Sequence, residues 1–389
     1  MKKIIIIILL LVPHLNCVLP QKPWTAFFYL AGHNDLWGHL ENAGLNSLPS
    51  GKNKNVNIIS SASLFTGCKQ PAPDHCTPTT QKFIATQKKN IQHGPTQKHL
   101  NTGLQTTLIN QLTFAIKQAP SNFLAIFLAG HGQGPTAGIC LDQQGNSLTD
   151  VNVQNALKHA IILRKKKTDI LVIDCCIMAC IEYYFAWADY THFIVGSQEI
   201  DPGEGIPYNT SLNILKKTVN SKQFAMHIVN AFKQKYVNDQ NQQQFTLSAV
   251  DSTKIKAIAF NIDQVAKTLL SLLKTHKKIT FSILKNSINN VTRFPGIIPG
   301  GQIDLKDFYV NILNRTPKNP IFNNLKNKLK HGIALINQAV IRNGTKIPKA
   351  AGLNIFFPRK FCCQHSYLNT LFVKTYPSWV KLIHAFFAS

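Results

Sequence analysis

Acidic side chains are scarce in this 389-residue chain: 17 Asp and Glu stand against 42 Lys and Arg, for a formal charge of +25. From Phe308 onward there are twelve basic residues and no carboxylate. No loop carries the spaced carboxylates of an EF-hand, which predicts no tightly bound metal. There is no C-x-x-C pair, so the thioredoxin-type redox motif and the finger and ribbon zinc sites are missing. Past the first dozen residues no apolar run is long enough to cross a bilayer, and neither a repeat nor a sustained heptad is present. The charge draws the chain toward anionic surfaces, yet no nucleic-acid-binding motif accompanies it, and no specific nucleic-acid partner is expected. Because carboxylates are few, their placement is informative: nine of the seventeen lie between Asp142 and Glu204.

The N-terminus reads as an export signal. Met1, Lys2 and Lys3 precede an unbroken apolar run over residues 4–12, which Pro13 ends. Nine residues are too few for a spanning helix, so residues 1–17 are expected to be a cleaved signal peptide, with Cys17 in a degenerate lipoprotein-like context. The expected location is across the inner membrane: periplasmic, secreted or lipid-anchored. Nine cysteines are present, at 17, 68, 76, 140, 175, 176, 180, 362 and 363. In an exported protein some pair, and Cys68 with Cys76, bracketing "CKQPAPDHC", is the best candidate.

Short, apolar, β-branched and aromatic segments at 24–32, 56–64, 122–130, 169–176 and 192–198 read as buried strands. Amphipathic stretches at 35–48, 104–119, 148–164 and 178–190 alternate with them, the third capped by Ser147 or Thr149. This alternation predicts an α/β fold: a mainly parallel sheet with helices on both faces. Residues 65–103 are polar and read as a long surface excursion. After Tyr208 the pattern turns helical, at 209–218, 221–237 and 252–275, with a late strand at 351–358.

In open α/β sheets ligands bind beyond the carboxyl ends of the strands. Two predicted strands end in reactive residues, one in "LAGHGQGP" (128–135), the other in "ILVIDCCIMACIE". A thiol and an imidazole at neighbouring strand mouths suit nucleophilic acyl transfer: the thiolate attacks and the imidazole protonates the departing amine. The glycine after the histidine lets a backbone N–H approach a substrate carbonyl. Taken alone, the same residues also fit a capped bend and buried packing cysteines, a zinc site, or a redox pair of Cys175 and Cys176.

The paired motifs "GHGQG" (130–134) and "DCCIM" (174–178) resemble the clostripain family of cysteine peptidases, which share a caspase-like fold. The resemblance extends to "VGSQEIDPGEGIPY" (195–208), backward to "WTAFFYLAGHNDL" (24–36), and forward to "LSAVDSTKI", "IDLKDFYV" and "GLNIFFP". It implies a caspase-like catalytic domain over 22–245 and a C-terminal subdomain over 246–389 packed on it. It implies His131 as the catalytic histidine and Cys176 as the nucleophile, with Cys175 where the family usually has alanine. Gly132 and Cys176 would supply the oxyanion-hole N–H groups. Asp174 and Glu204 would line the pocket for a substrate Arg or Lys, Glu204 standing where the family usually has aspartate. The implied partners are proteins or peptides with a basic residue before the cut. Members often cut themselves after a basic residue between histidine and cysteine; here Arg164, Lys165, Lys166 and Lys167 are the obvious target. Some members need calcium, for which this sequence shows no loop. The alternative is a catalytically silent, basic surface-binding protein on the same fold.

Overall fold

A computed structural model describes residues 18–66, 76–240, 244–295, 301–360 and 365–388. Residues 1–17, expected to be a signal peptide and including Cys17, lie outside the described residues, as do Cys68, Cys362 and Cys363. Cys76 is disulfide-bonded, while Cys140, Cys175, Cys176 and Cys180 are free thiols.

Ten strands form the main sheet: β1 (Lys22–Ala31), β2 (Val56–Thr66), β3 (Thr77–Ala85), β4 (Asn90–Gln92), β5 (Gln97–Lys98), β6 (Ser121–Ala129), β7 (Thr168–Asp174), β8 (Thr191–Gly196), β9 (Thr246–Asp251) and, later in the chain, a strand over Val340–Thr345. The intervening β10 (Arg293–Phe294) and β11 (Gln302–Asp304) join β13 (Asn354–Phe356) in a separate three-stranded sheet, so Val340–Thr345 is β12. The main sheet runs β12-β9-β8-β7-β6-β1-β2-β3-β4, with β5 beside β3. The five central strands, β8 to β2, are parallel; β3, β4, β5, β9 and β12 extend the two edges antiparallel.

The central strands are apolar on both faces because both faces are covered. Phe27 and Tyr29 point into one core and Phe28 and Leu30 into the other; on β7, Leu171 and Ile173 oppose Ile170 and Val172 in the same way. The first core lies under helices Gln105–Gln118, Asp150–Arg164 and Ile255–Thr275, the second under Ser221–Tyr236. Thr149 caps Asp150–Arg164 through a reciprocal box with Asn152.

Three expectations change. The 65–103 segment is not a structureless excursion: β3, β4 and β5 add an antiparallel edge there, with Thr79 and Thr80 buried. Its buried positions are filled by Pro78, Thr79 and Thr80, so composition hid it. The 35–48 stretch is a contiguous series of short helical pieces, including a five-residue π segment over Leu40–Gly44, where one regular helix was expected. Chain beyond residue 245 supplies β9 and β12 to the main sheet, and its helices share the first core. Among the described residues, no helix is long and apolar enough to cross a membrane.

Candidate active site

The register of the central strands sets the site. Ala129 at the end of β6 pairs with Asp174 at the end of β7, and Leu30 near the end of β1 pairs with Ala129. Three strands therefore stop at one level, and His131 and Cys176 each follow two residues beyond a paired position. The Gly130 amide donates to the Asp174 carbonyl at 3.3 Å, fixing the two exits side by side. His131, Gly132, Asp174, Cys176, Asp201 and Glu204 all line one cavity of about 450 Å³.

Strand alternation separates the two cysteines. Cys175 keeps the parity of Ile173 and belongs to the first core, 1% exposed, its thiol donating to the Leu128 carbonyl at 3.5 Å. Cys176 keeps the parity of Asp174 and is half-buried on the cavity. The Asp201 amide donates to Cys176 Sγ at 3.4 Å. Burial, followed by the charges of Asp201 and Asp174, pushes the Cys176 thiol up to about 12, so the resting thiol is neutral.

Gly132 passes so close to the 175–178 loop that an added Cβ would lie 2.5 Å from the Cys176 carbonyl and 2.7 Å from Cys175 Cβ. Among the described residues, neither the Gly132 nor the Cys176 amide donates to another protein group. Both are thus available to an oxyanion. Gly132→Ala is expected to displace the 175–178 loop, costing about 1–3 kcal/mol of stability and on the order of 10²-fold in kcat/KM. Thermal melts and peptide kinetics check this, and an alanine variant with wild-type kinetics refutes the close approach.

Asp174 sits at the base of the cavity, buried, accepting from the Tyr208 hydroxyl at 2.6 Å and from the Ile206 amide at 3.1 Å. Burial raises its pKa, opposed by those two hydrogen bonds. Gly205, at φ +56°, leaves room for it: a Cβ there would stand 2.7 Å from Asp174 Oδ2. Glu204 is placed differently from Asp174. It is an exposed rim residue paired with Lys235 at 3.0 Å, between the cavity and an adjoining cleft of about 790 Å³.

The 164–167 stretch lies at the other end of the sheet. Arg164 closes its helix, Lys165 turns at φ +57°, and β7 begins at Thr168. The Arg164 guanidinium donates to the carbonyls of Lys167 and Asn122 and meets Asp169. The whole of β7, about 20 Å of chain, separates this turn from Cys176. The structure does not bring it to the site.

Two acids at the site were not singled out from the sequence. His131 Nε2 lies 2.6 Å from Asp35 Oδ1. Asp201 carries two buried carboxylate oxygens with no hydrogen bond; the Ser197 hydroxyl nearby is taken up with the Glu199 carbonyl and Thr246. Burial first, and then the charge of Asp174, pushes Asp201 well above the usual carboxylate range. Both lie in segments that carry the family resemblance, 24–36 and 195–208, but no local spacing marks them out. Among the described residues, no group of three or more His, Cys, Asp or Glu could hold a metal ion.

The model of the clostripain family matches residues 53–381. The fold is similar to that of a secreted C11 cysteine protease from Bacteroides thetaiotaomicron in complex with an irreversible peptide inhibitor: TM-score 0.65 and 16% identity, over 95% of this chain and all of that one. A second Bacteroides thetaiotaomicron structure of a secreted C11 protease, iotapain, matches at TM-score 0.66 and 14% identity, over 92% and 100% of the two chains. An inactive zymogen C11 protease from Parabacteroides distasonis matches at 0.64 and 18%, over 92% and 99%. No curated protein sequence matches the chain.

Proposed function

The chain belongs to the clostripain family of cysteine peptidases, and from that premise we propose that it is an exported endopeptidase that cuts after Arg or Lys with Cys176 as nucleophile and His131 as general acid–base. The observation that carries the reading is the shared exit level of β6 and β7, which opens His131, Cys176 and the buried Asp174 onto one cavity.

A basic substrate side chain enters toward Asp174, whose carboxylate offers charge and directional acceptors. It brings positive charge into the cavity, offsetting the charges of Asp201 and Asp174 that add to burial in keeping the thiol neutral. Sγ attacks the scissile carbonyl as its proton passes to the imidazole. The carbonyl oxygen, now negative, is held by the free Gly132 and Cys176 amides. Collapse of the adduct breaks the C–N bond, and the imidazolium gives its proton to the departing amine. A water deprotonated by the imidazole then attacks the thioester, releasing the acid and restoring the thiol. The reading uses no metal. Cleavage at 164–167 would have to be done by a second molecule, since the turn cannot reach its own nucleophile without unfolding β7.

Fluorogenic peptides that differ only in the residue before the cut, assayed with a thiol reductant, test the proposal. Turnover of Arg and Lys peptides supports it. Preference for Asp or Asn refutes the pocket assignment, and inert protein favours the silent, surface-binding alternative suggested by the +25 charge.

Lys235 tunes the rim in this reading. Its ammonium pairs with Glu204 and so competes with a substrate cation. Lys235→Met is expected to lower KM for Arg and Lys peptides by about two- to fivefold, in line with an exposed pair worth up to about 1 kcal/mol. An unchanged KM would place Glu204 outside the binding site.

A further inference from the structure

The contact between His131 and Asp35 joins two different strand exits. His131 follows β6 and Asp35 follows β1, and these strands are paired in the sheet. Asp35 Oδ1 lies 2.6 Å from His131 Nε2, the one hydrogen bond of the ring among the described residues. The Asp35 side chain is 82% exposed and that of His131 28%, so the carboxylate meets the ring from the solvent side.

An exposed carboxylate near a histidine is commonplace, but the turn that carries this one is anchored on both flanks. His33 is buried, with Nε2 at 3.1 Å from the Thr79 carbonyl and Nδ1 at 3.6 Å from Asp142. Asn34 accepts the Leu36 amide at 3.0 Å and donates to the Leu141 and Ala31 carbonyls at 2.8 and 3.0 Å. Leu141 lies in the segment that pairs back onto the His131 loop, where the Cys140 amide donates to the His131 carbonyl. The backbones carrying Asp35 and His131 are thus tied together independently of the side-chain pair. The hydrogen bond to His131 also holds the Asp35 carboxyl below its ordinary range.

We infer that Asp35 is a positioning residue for the imidazole: by accepting Nε2–H it fixes the tautomer and orientation of His131, leaving Nδ1 as the nitrogen that exchanges protons at the cavity. The inference deepens the proposed peptidase reading and rests on it for its kinetic consequence. An Asp that takes one ring N–H sets which nitrogen is bare and stabilises the imidazolium formed when the thiol loses its proton. Exposure and salt screening limit the effect below that of a buried acid.

Two measurements on the full chain test it, one independent of activity. In histidine-labelled protein, long-range proton–nitrogen spectra should show His131 as a single Nε2–H tautomer, and Asp35→Asn should convert it to a mixture. The kinetic measurement uses whichever peptide the wild type cleaves. Asp35→Asn and Asp35→Ala should lower kcat at least about tenfold, a part of the 10²–10⁴-fold that general acid–base catalysis supplies. KM should stay within about twofold, and Asp35→Glu should recover part of the loss. Melting temperatures should not move, since the side chain is exposed. Wild-type tautomer and kcat in Asp35→Asn overturn the inference. So does a rise in activity, which would make the contact a latch, and so does a parallel fall in melting temperature across all three variants. If the wild type cleaves no peptide, the functional reading fails, while the tautomer spectrum still decides the positioning role.

Discussion

Cys176→Ala is expected to abolish turnover, a loss of at least about 10³-fold, while Cys175→Ala keeps activity within a few-fold of wild type. Acyl transfer through a thioester has no route without the sulfur, so the first loss reaches the background left by binding and the oxyanion donors. Cys175 differs by a single bond of parity. Its thiol is 1% exposed in the core and donates to the Leu128 carbonyl, and burial pushes it well above the ordinary thiol range. Removing that sulfur leaves a small cavity costing about 1 kcal/mol, read as a lower melting point rather than a lower rate. Kinetics and melts of both variants check the pair of outcomes. Loss of activity in Cys175→Ala alone would mean that the nucleophile register is wrong by one residue.

The second large effect concerns selectivity. Asp174→Asn should lower kcat/KM for Arg and Lys peptides by about 10²-fold, the scale of truncating one partner of a buried charge pair, with neutral peptides changed much less. The ratio of the two, measured on matched peptides, is the readout; equal losses for both classes would reduce Asp174 to a structural acceptor for Tyr208 and Ile206. The site also implies a pH dependence. Burial raises the pKa of Asp174 and of Asp201, so these carboxyls hold their protons to higher pH than exposed aspartates. The proton competes with the substrate cation, so affinity for a basic side chain is absent at low pH and gained as pH rises through those titrations. KM for Arg peptides should therefore fall with rising pH over that range, and KM for neutral peptides should not follow it. Folding has the opposite sign. Carboxyls raised in the folded state weaken the fold as pH climbs above their unfolded values, and a bound cation offsets this.

The sequence and the structure agree most closely where one physical cause dominates. The five central strands are covered on both faces, so they are short and mostly apolar, with small buried serines in β2, and each lies within two residues of its predicted bounds. Helix Asp150–Arg164 was readable because Thr149 and Asn152 cap it locally. The 65–103 edge was not readable, because threonines stand where large apolar residues would mark a strand. The short helical pieces after β1 follow helical periodicity, yet Pro49 and glycines 38, 44 and 51 break it up. At the site, His131, Gly132, Asp174 and Cys176 could be placed because two short motifs end adjacent strands. Glu204 could be assigned a place but not its partner: Lys235 lies 31 residues away on a helix, and no local pattern links them. Asp35 and Asp201 stayed hidden for the same reason. Their roles depend on which strand neighbours which and on which oxygens are left unpaired, and neither is written in local spacing.

Covalent labelling tests the central claim most directly. A peptide ketone ending in Arg or Lys, incubated with the pure chain and followed by mass spectrometry, should modify one residue, and fragmentation should place the adduct on Cys176. His131→Ala should label far more slowly, and Cys176→Ala not at all. An adduct on Cys175, or equal labelling by ketones ending in Asp, would contradict the account: the first its geometry, the second its pocket.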